Sequence, residues 1–143
     1  MLIDLAQMLA RDGEGAEHLI RATVRGAAND EEARRVAKSL VNSPLVKTMV
    51  AGADPNVGRL LMAVGKCFDC TITPANTDAW INGHPVVVGG QRLDFEDALV
   101  RATLSGDVVD LEVSLGVGNG EARAYGCDLT AGYVEENAAY YSS

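Results

Sequence analysis

Positive charge is scarce in this chain. It carries 12 Lys and Arg against 20 Asp and Glu, a formal net charge of −8. Nucleic acids and anionic membrane surfaces are recognised by concentrated Lys and Arg, so neither is expected as a partner. Long apolar runs are missing too, and nothing approaches the ~18 residues of a spanning helix. The opening stretch MLIDLAQMLARD lacks the basic n-region and cleavage site of a signal peptide.

Cysteine is sparse. Three residues, an odd number, fit a reducing cytoplasm better than a disulfide scaffold. Cys67 and Cys70 form a C-x-x-C in "GKCFDC", but the pair follows an expected helix instead of opening one, so two ordinary thiols are expected. A zinc site needs four ligands, and only the distant Cys127 and two scattered histidines, His18 and His84, remain. No metal or cofactor is therefore expected. There is no H-E-x-x-H and no Walker A motif. "GVGNG" (Gly116, Gly118, Gly120) has its third glycine one residue early for a dinucleotide fingerprint and precedes a strand, so it reads as a hairpin turn. No Ser-His-Asp triad can be assembled from spacing alone. The residues by themselves reveal no catalytic constellation.

What is present is globular: 48% hydrophobic and 22% charged over 143 residues, one domain or a piece of a larger one. A chain of this length buries ~70% of its unfolded surface and needs no disulfide staples. Leu2, Leu5 and Leu9 with Ala6 and Ala10 have helical spacing, ended by the glycines of "ARDGEGA". His18 to Ala28 reads as a strand. In "NDEEARRVAKSLV", Asn29 is an N-cap with Glu32 at N3, a capping box, and Ala33, Val36, Ala37, Leu40 and Val41 share one face. Ser43-Pro44 starts a second helix, "PLVKTMVA", and Asp54-Pro55 repeats that device for "NVGRLLMAVGK".

Beyond Gly65 the periodicity turns strand-like. Asn82-Gly83 in "AWINGHPVVV" is a type I′ hairpin signal. "DFEDALVRATL" predicts a short helix whose shared face is Phe95, Ala98, Leu99 and Ala102. "DVVDLEVSLGVGNGEARAYGCDL" predicts a second Asn-Gly hairpin, and "TAGYVEENAAYY" a C-terminal helix with Val134, Asn137, Ala138 and Tyr141 on one stripe. Helices and strands that do not alternate as βαβ units imply an α+β fold, helices packed on a mixed or antiparallel sheet with two Asn-Gly hairpins. No linker, repeat or low-complexity tract interrupts it.

Three features ask for more than packing. Glu14 is held between two glycines at a helix-to-strand junction. Asn137 lies on the apolar stripe of the last helix, where an amide must find partners. "YGCDLT", Tyr125 to Thr130, sets a polar cluster between a strand and a helix.

Four stretches, "ARDGEGA", "VNSPLVKT", "GADPNVGR" and "YGCDLTAGYVEENAAYYSS", occur in the order found in the ornithine acetyltransferase (glutamate N-acetyltransferase) family of arginine biosynthesis. The chain resembles that family from about Leu5 to its C-terminus, interrupted mainly between Cys67 and Asp110. The resemblance implies an N-terminal-nucleophile enzyme, in which a precursor cleaves itself ahead of a threonine. That threonine then carries acetyl as an ester between N-acetylornithine, or acetyl-CoA, and glutamate.

The resemblance makes this chain the C-terminal portion of the β chain, residues 1–66 belonging to the core domain and 67–143 to a smaller α+β domain and tail. It implies substrate-binding roles for Glu14, Asn137 and Ser142, and no catalytic residue here. The nucleophile and the oxyanion-hole donors fall upstream, outside the chain, and Thr48 in "VKTMV" only imitates the nucleophile's motif. Implied partners are the α chain and the remaining β segment in an α2β2 assembly, in the cytoplasm. The family's usual pattern is broken at Val57, at Glu17-His18 and at Glu135-Glu136. A stand-alone, non-catalytic module that binds an amino acid or a partner protein is the alternative.

Overall fold

The computed structural model describes residues 18–128. The expected first helix, the expected C-terminal helix and the residues Glu14, Asn137 and Ser142 lie outside the described residues. Within them, six strands form one mixed sheet: β1 (Leu19–Ala27), β2 (Asp78–Ile81), β3 (His84–Val88), β4 (Gln91–Arg92), β5 (Val108–Ser114) and β6 (Gly120–Cys127). Four helices accompany it: α1 (Asp30–Asn42), α2 (Pro44–Ala51), α3 (Val57–Gly65) and α4 (Asp97–Thr103). The architecture is α+β. The sheet order is β4-β3-β2-β5-β1-β6, so the first strand lies between the last two.

Alternation decides which face of the sheet is covered. Ile20, Ala22 and Val24 of β1, with Val109, Leu111 and Val113 of β5 and Ala79 and Ile81 of β2, are buried in one core. Against them packs the apolar stripe of α1, Ala33, Val36, Ala37, Leu40 and Val41, all buried as their spacing predicts. Each fully buried Val, Leu or Ile contributes about 1.5–3 kcal/mol of hydrophobic free energy.

Helix starts follow the local chemistry only partly. Asn29 accepts from the Glu32 amide at 2.9 Å, but the Glu32 carboxylate accepts from the Thr71 amide, leaving the reciprocal half of the capping box unmade. Ser43 ends α1 and caps α2 through the Val46 amide, with Pro44 in the first turn. The Asp54-Pro55 device does not recur. There α3 begins at Val57, and Asn56 occupies the cap position with no side-chain bond. The reason is a tight turn: Ala53 has φ 49°, and the Asn56 amide bonds to the Asp54 carbonyl.

Two sequence expectations are corrected. Asn82 and Gly83, both at positive φ, join the antiparallel pair β2 and β3. Asn119-Gly120, however, does not close a hairpin, because β1 lies between β5 and β6, parallel to the first and antiparallel to the second. The apolar face of β1 demands the central position, and residues 116–119 become a crossover over its end. There the amides of Val117 and Gly118 donate to the Gly26 carbonyl at 2.8 and 3.0 Å. In α4 the buried residue is Val100, while Ala98, Leu99 and Ala102 are exposed and Phe95 precedes the helix. A helix starting at Asp97 cannot use a face counted from Phe95.

The crossover leaves no room for a side chain at Gly120, where a Cβ would sit 2.2 Å from the Asn29 carbonyl oxygen. At Gly65, the last residue of α3, a Cβ would meet nothing within 4 Å. Gly120→Ala is expected to destabilise the fold by ~2 kcal/mol or more, the range of steric strain in a packed backbone. Gly65→Ala is expected to stabilise it by about 0.4–1 kcal/mol. Urea unfolding of both variants checks the contrast, and equal effects would contradict the crossover packing.

Candidate functional site

Two polar regions stand out from this frame. The first is the face of the sheet opposite α1. Register places Arg21, Asp110 and Tyr125 side by side, and next to them Thr23, Glu112 and Arg123. Arg21 forms a two-point ion pair with Asp110, its Nη2 donating to Oδ2 at 2.7 Å. Arg25 pairs with Glu112, and Arg123 Nε donates to Thr23 Oγ1 at 3.1 Å. The Asp110 hydrogen bond, opposed by burial, raises Arg21 above its ordinary range. The arrangement is a self-neutralising ladder in which cation and anion face each other. Exposed pairs of this kind add ~0–1 kcal/mol each.

The second region lies at the end of the sheet where β1 begins and β6 stops. The His18 amide donates to Asp128 Oδ1 at 2.9 Å, and the Asp128 amide returns a bond to the His18 carbonyl at 3.2 Å. His18 Nδ1 lies 2.6 Å from the Gly106 carbonyl oxygen, a contact that puts the proton on Nδ1. His18 Nε2 faces Asp128 Oδ2 at 4.0 Å. Asp128 is fully buried, and Cys127 beside it is 1% exposed.

From the helical layer, α2 brings Lys47 to this end. The helix starts sharply at Ser43-Pro44 and buries Val46, Met49 and Val50, and the same winding carries Lys47 inward to 7% exposure. Burial pushes the Lys47 ammonium below the ordinary lysine range, opposed by the negative potential of Cys127 and Asp128. Close packing holds the parts together: a Cβ on Gly126 would come within 2.9 Å of the Val41 carbonyl oxygen. The region thus gathers a buried cation, a buried carboxylate and an imidazole.

Other candidates do not assemble chemistry. Cys67 and Cys70 are free thiols in the turn after α3. Burial raises Cys67, and burial with the neighbouring Cys67 pushes Cys70 to about 11. Thiols so placed are poor nucleophiles. Thr48 Oγ1 donates to the Leu45 carbonyl and accepts from Arg59 Nη1 at 3.1 Å, so a cation, and no base, faces it. Among the described residues no group of three or more His, Cys, Asp or Glu is placed to hold a metal.

Glu14, Asn137 and Ser142 lie outside the described residues 18–128. Their connections are nevertheless informative. Glu14 stands four positions before His18, and Asn137 nine positions after Asp128. The first and last described residues, His18 and Asp128, meet at one end of the sheet. Sequence reading singled out "YGCDLT", which contains Asp128, but missed Lys47. The available signal was a lone charge in an otherwise apolar short helix, "PLVKTMVA".

The profile of the ArgJ family matches residues 1–142. The chain is 44% identical over 146 residues to the arginine biosynthesis bifunctional protein ArgJ of Rhizobium meliloti (strain 1021), covering 99% of the chain and 34% of that protein. It is 45% identical to the protein of the same name from Geobacillus stearothermophilus, covering 96% of the chain and 33% of the relative. The crystal structure of arginine biosynthesis bifunctional protein argJ from Bacillus halodurans is similar with a TM-score of 0.87 at 44% identity, over 96% of this chain and 64% of that one. The chain spans about a third of the length of the curated relatives it matches.

Lys47 yields a stability prediction. With its folded pKa below the unfolded one, the unfolded chain binds more protons between the two values, so stability rises with pH through that window. Below the window the full burial cost is present. Lys47→Met is expected to stabilise the fold at pH 7 by on the order of 1 kcal/mol, the low end for replacing buried charge with apolar volume. The gain should shrink as pH approaches the ordinary lysine value of 10.5. Urea melts at pH 7 and pH 10 measure it. A loss of stability at pH 7 would mean that Asp128 outweighs the desolvation.

Proposed function

Because this chain belongs to the ArgJ family, we propose that it is the C-terminal portion of the β chain of an ornithine acetyltransferase (glutamate N-acetyltransferase). In that reading it supplies substrate contacts to an enzyme that moves acetyl from N-acetylornithine to glutamate. On the same reading the nucleophilic threonine belongs to a part of the enzyme upstream of Glu14. Its hydroxyl takes the acetyl group from the donor as an ester, and the amine of the acceptor then attacks that ester. The chain's own share is to bind and orient amino-acid substrates at the sheet end marked by His18 and Asp128. The α chain and the rest of the β chain complete the site in the cytoplasm, with no cofactor.

The observation that carries this reading is the family match over residues 1–142, which includes the stretches holding Glu14, Asn137 and Ser142. It is supported by the His18–Asp128 bonds, which hold the first and last described residues together at one end of the sheet. A carboxylate on a glycine turn suits the ammonium of an ornithine-type ligand, and a terminal amide and hydroxyl suit its polar remainder.

Glu14 provides the test. In the assembled enzyme, Glu14→Gln is expected to raise the Michaelis constant for N-acetylornithine roughly 10- to 150-fold. That corresponds to losing one charge-assisted hydrogen bond of ~1.5–3 kcal/mol. Thermal stability should stay within about 0.5 kcal/mol. Steady-state kinetics beside thermal melts check both halves. A lower melting temperature with an unmoved Michaelis constant would assign Glu14 to the turn instead, and would favour the non-catalytic module.

A further inference from the structure

The C-x-x-C of the sequence, Cys67 to Cys70, takes no part in the acetyl transfer proposed above. The structure winds it into a single turn, in which the Cys70 amide donates to the Cys67 carbonyl at 3.1 Å. A turn closed this way holds its end Cα atoms within ~7 Å, and a disulfide spans ~4.4–6.8 Å. Burial is the largest influence raising both thiols, and among the smaller ones each thiol acts on the other. The two sulfurs are therefore neighbours. Helix α1 anchors the turn, since Arg35 pairs with Asp69 and the Glu32 carboxylate accepts from the Thr71 amide. Phe68, between the cysteines, is 93% exposed, and both cysteines are only partly buried. A small solute can reach them.

We infer that Cys67 and Cys70 form a reversible disulfide site, oxidised by a low-molecular-weight disulfide of the glutathione class. The inference is independent of the acetyltransferase reading. One cysteine, as thiolate, attacks a sulfur of glutathione disulfide, whose S–S bond breaks to release the first glutathione thiolate. The second cysteine loses its proton and attacks the protein sulfur of that mixed disulfide. The Cys67–Cys70 bond forms and the second glutathione leaves. Two protons and two electrons pass from the turn to two glutathione thiols. The raised thiols set direction and pace. Reduced cysteines that stay protonated gain nothing from a stabilised thiolate, which favours the closed form, while a thiol at about 11 attacks slowly.

The test is an equilibrium titration of the full chain in glutathione buffers of stepped reduced-to-oxidised ratio. Samples are quenched in acid, alkylated with N-ethylmaleimide in denaturant and mapped by mass spectrometry. A fraction two hydrogens lighter is expected, growing as the buffer becomes more oxidising. That fraction should carry no label at Cys67 or Cys70 and keep the label on Cys127, which is 1% exposed in the fold. The folded chain should close in buffer at least about tenfold more reducing than the same chain in urea, because the turn holds the sulfurs together. Three results would overturn the site. They are glutathione that stays attached to Cys67 or Cys70, two free thiols in the most oxidising buffer, and closure equally easy in urea.

Discussion

Everything described here hangs on the double pairing of β1. Its backbone bonds to β5 on one side and to β6 on the other, in opposite senses. A parallel neighbour cannot be reached by a two-residue turn, so the chain must travel away and return. That journey supplies α1, α2 and α3, then β2 to β4 and α4, before β5 closes on β1. The antiparallel β6 then returns along the other flank and ends beside the start of β1. Leu19 opposite Cys127 is the final pair, and the His18–Asp128 bonds lie just past it. The meeting of His18 and Asp128 is thus a consequence of strand order.

Local chemistry made much of this legible. The β1 strand, the buried stripe of α1 and the Ser43-Pro44 start of α2 all follow from patterns of a few adjacent residues. The Asn82-Gly83 turn does too, since both residues adopt the positive φ its geometry demands. What could not be read was pairing between distant segments. "GVGNG" has the composition of a turn, and only the burial demand of β1 turns it into a crossover. Helix α4 begins at Asp97, three residues after the start of the expected segment, and buries Val100 where Leu99 was expected. Lys47 escaped notice because a lysine in a helix ordinarily reads as solvated. Its burial comes with a position near Cys127 and Asp128, far along the chain, which no short window contains. The substrate contacts that the resemblance implies at Glu14, Asn137 and Ser142 lie outside the described residues.

Charge is distributed with the same logic. On the exposed face of the sheet Arg21 meets Asp110 and Arg25 meets Glu112 across the strands, and these pairs cancel each other's charge. At the β1–β6 end the charged groups are buried, Asp128 fully and Lys47 to 7% exposure. Low local dielectric makes such a charge far more consequential than those of the ladder. Binding sites for small charged molecules are recognised by such convergence of a few buried polar groups. The core behind them, from Ile20 to Leu40, supplies the rigidity that holds the groups in place.

The central claim is that ligand binds at the β1–β6 end and not on the charged face. Amide hydrogen exchange of the assembled enzyme, with and without N-acetylornithine, tests it most directly. The account predicts ligand-dependent slowing at residues 18–20, 46–48 and 126–128. Slowing confined to the sheet face around Arg21, Asp110 and Arg123, with none at that end, would contradict it.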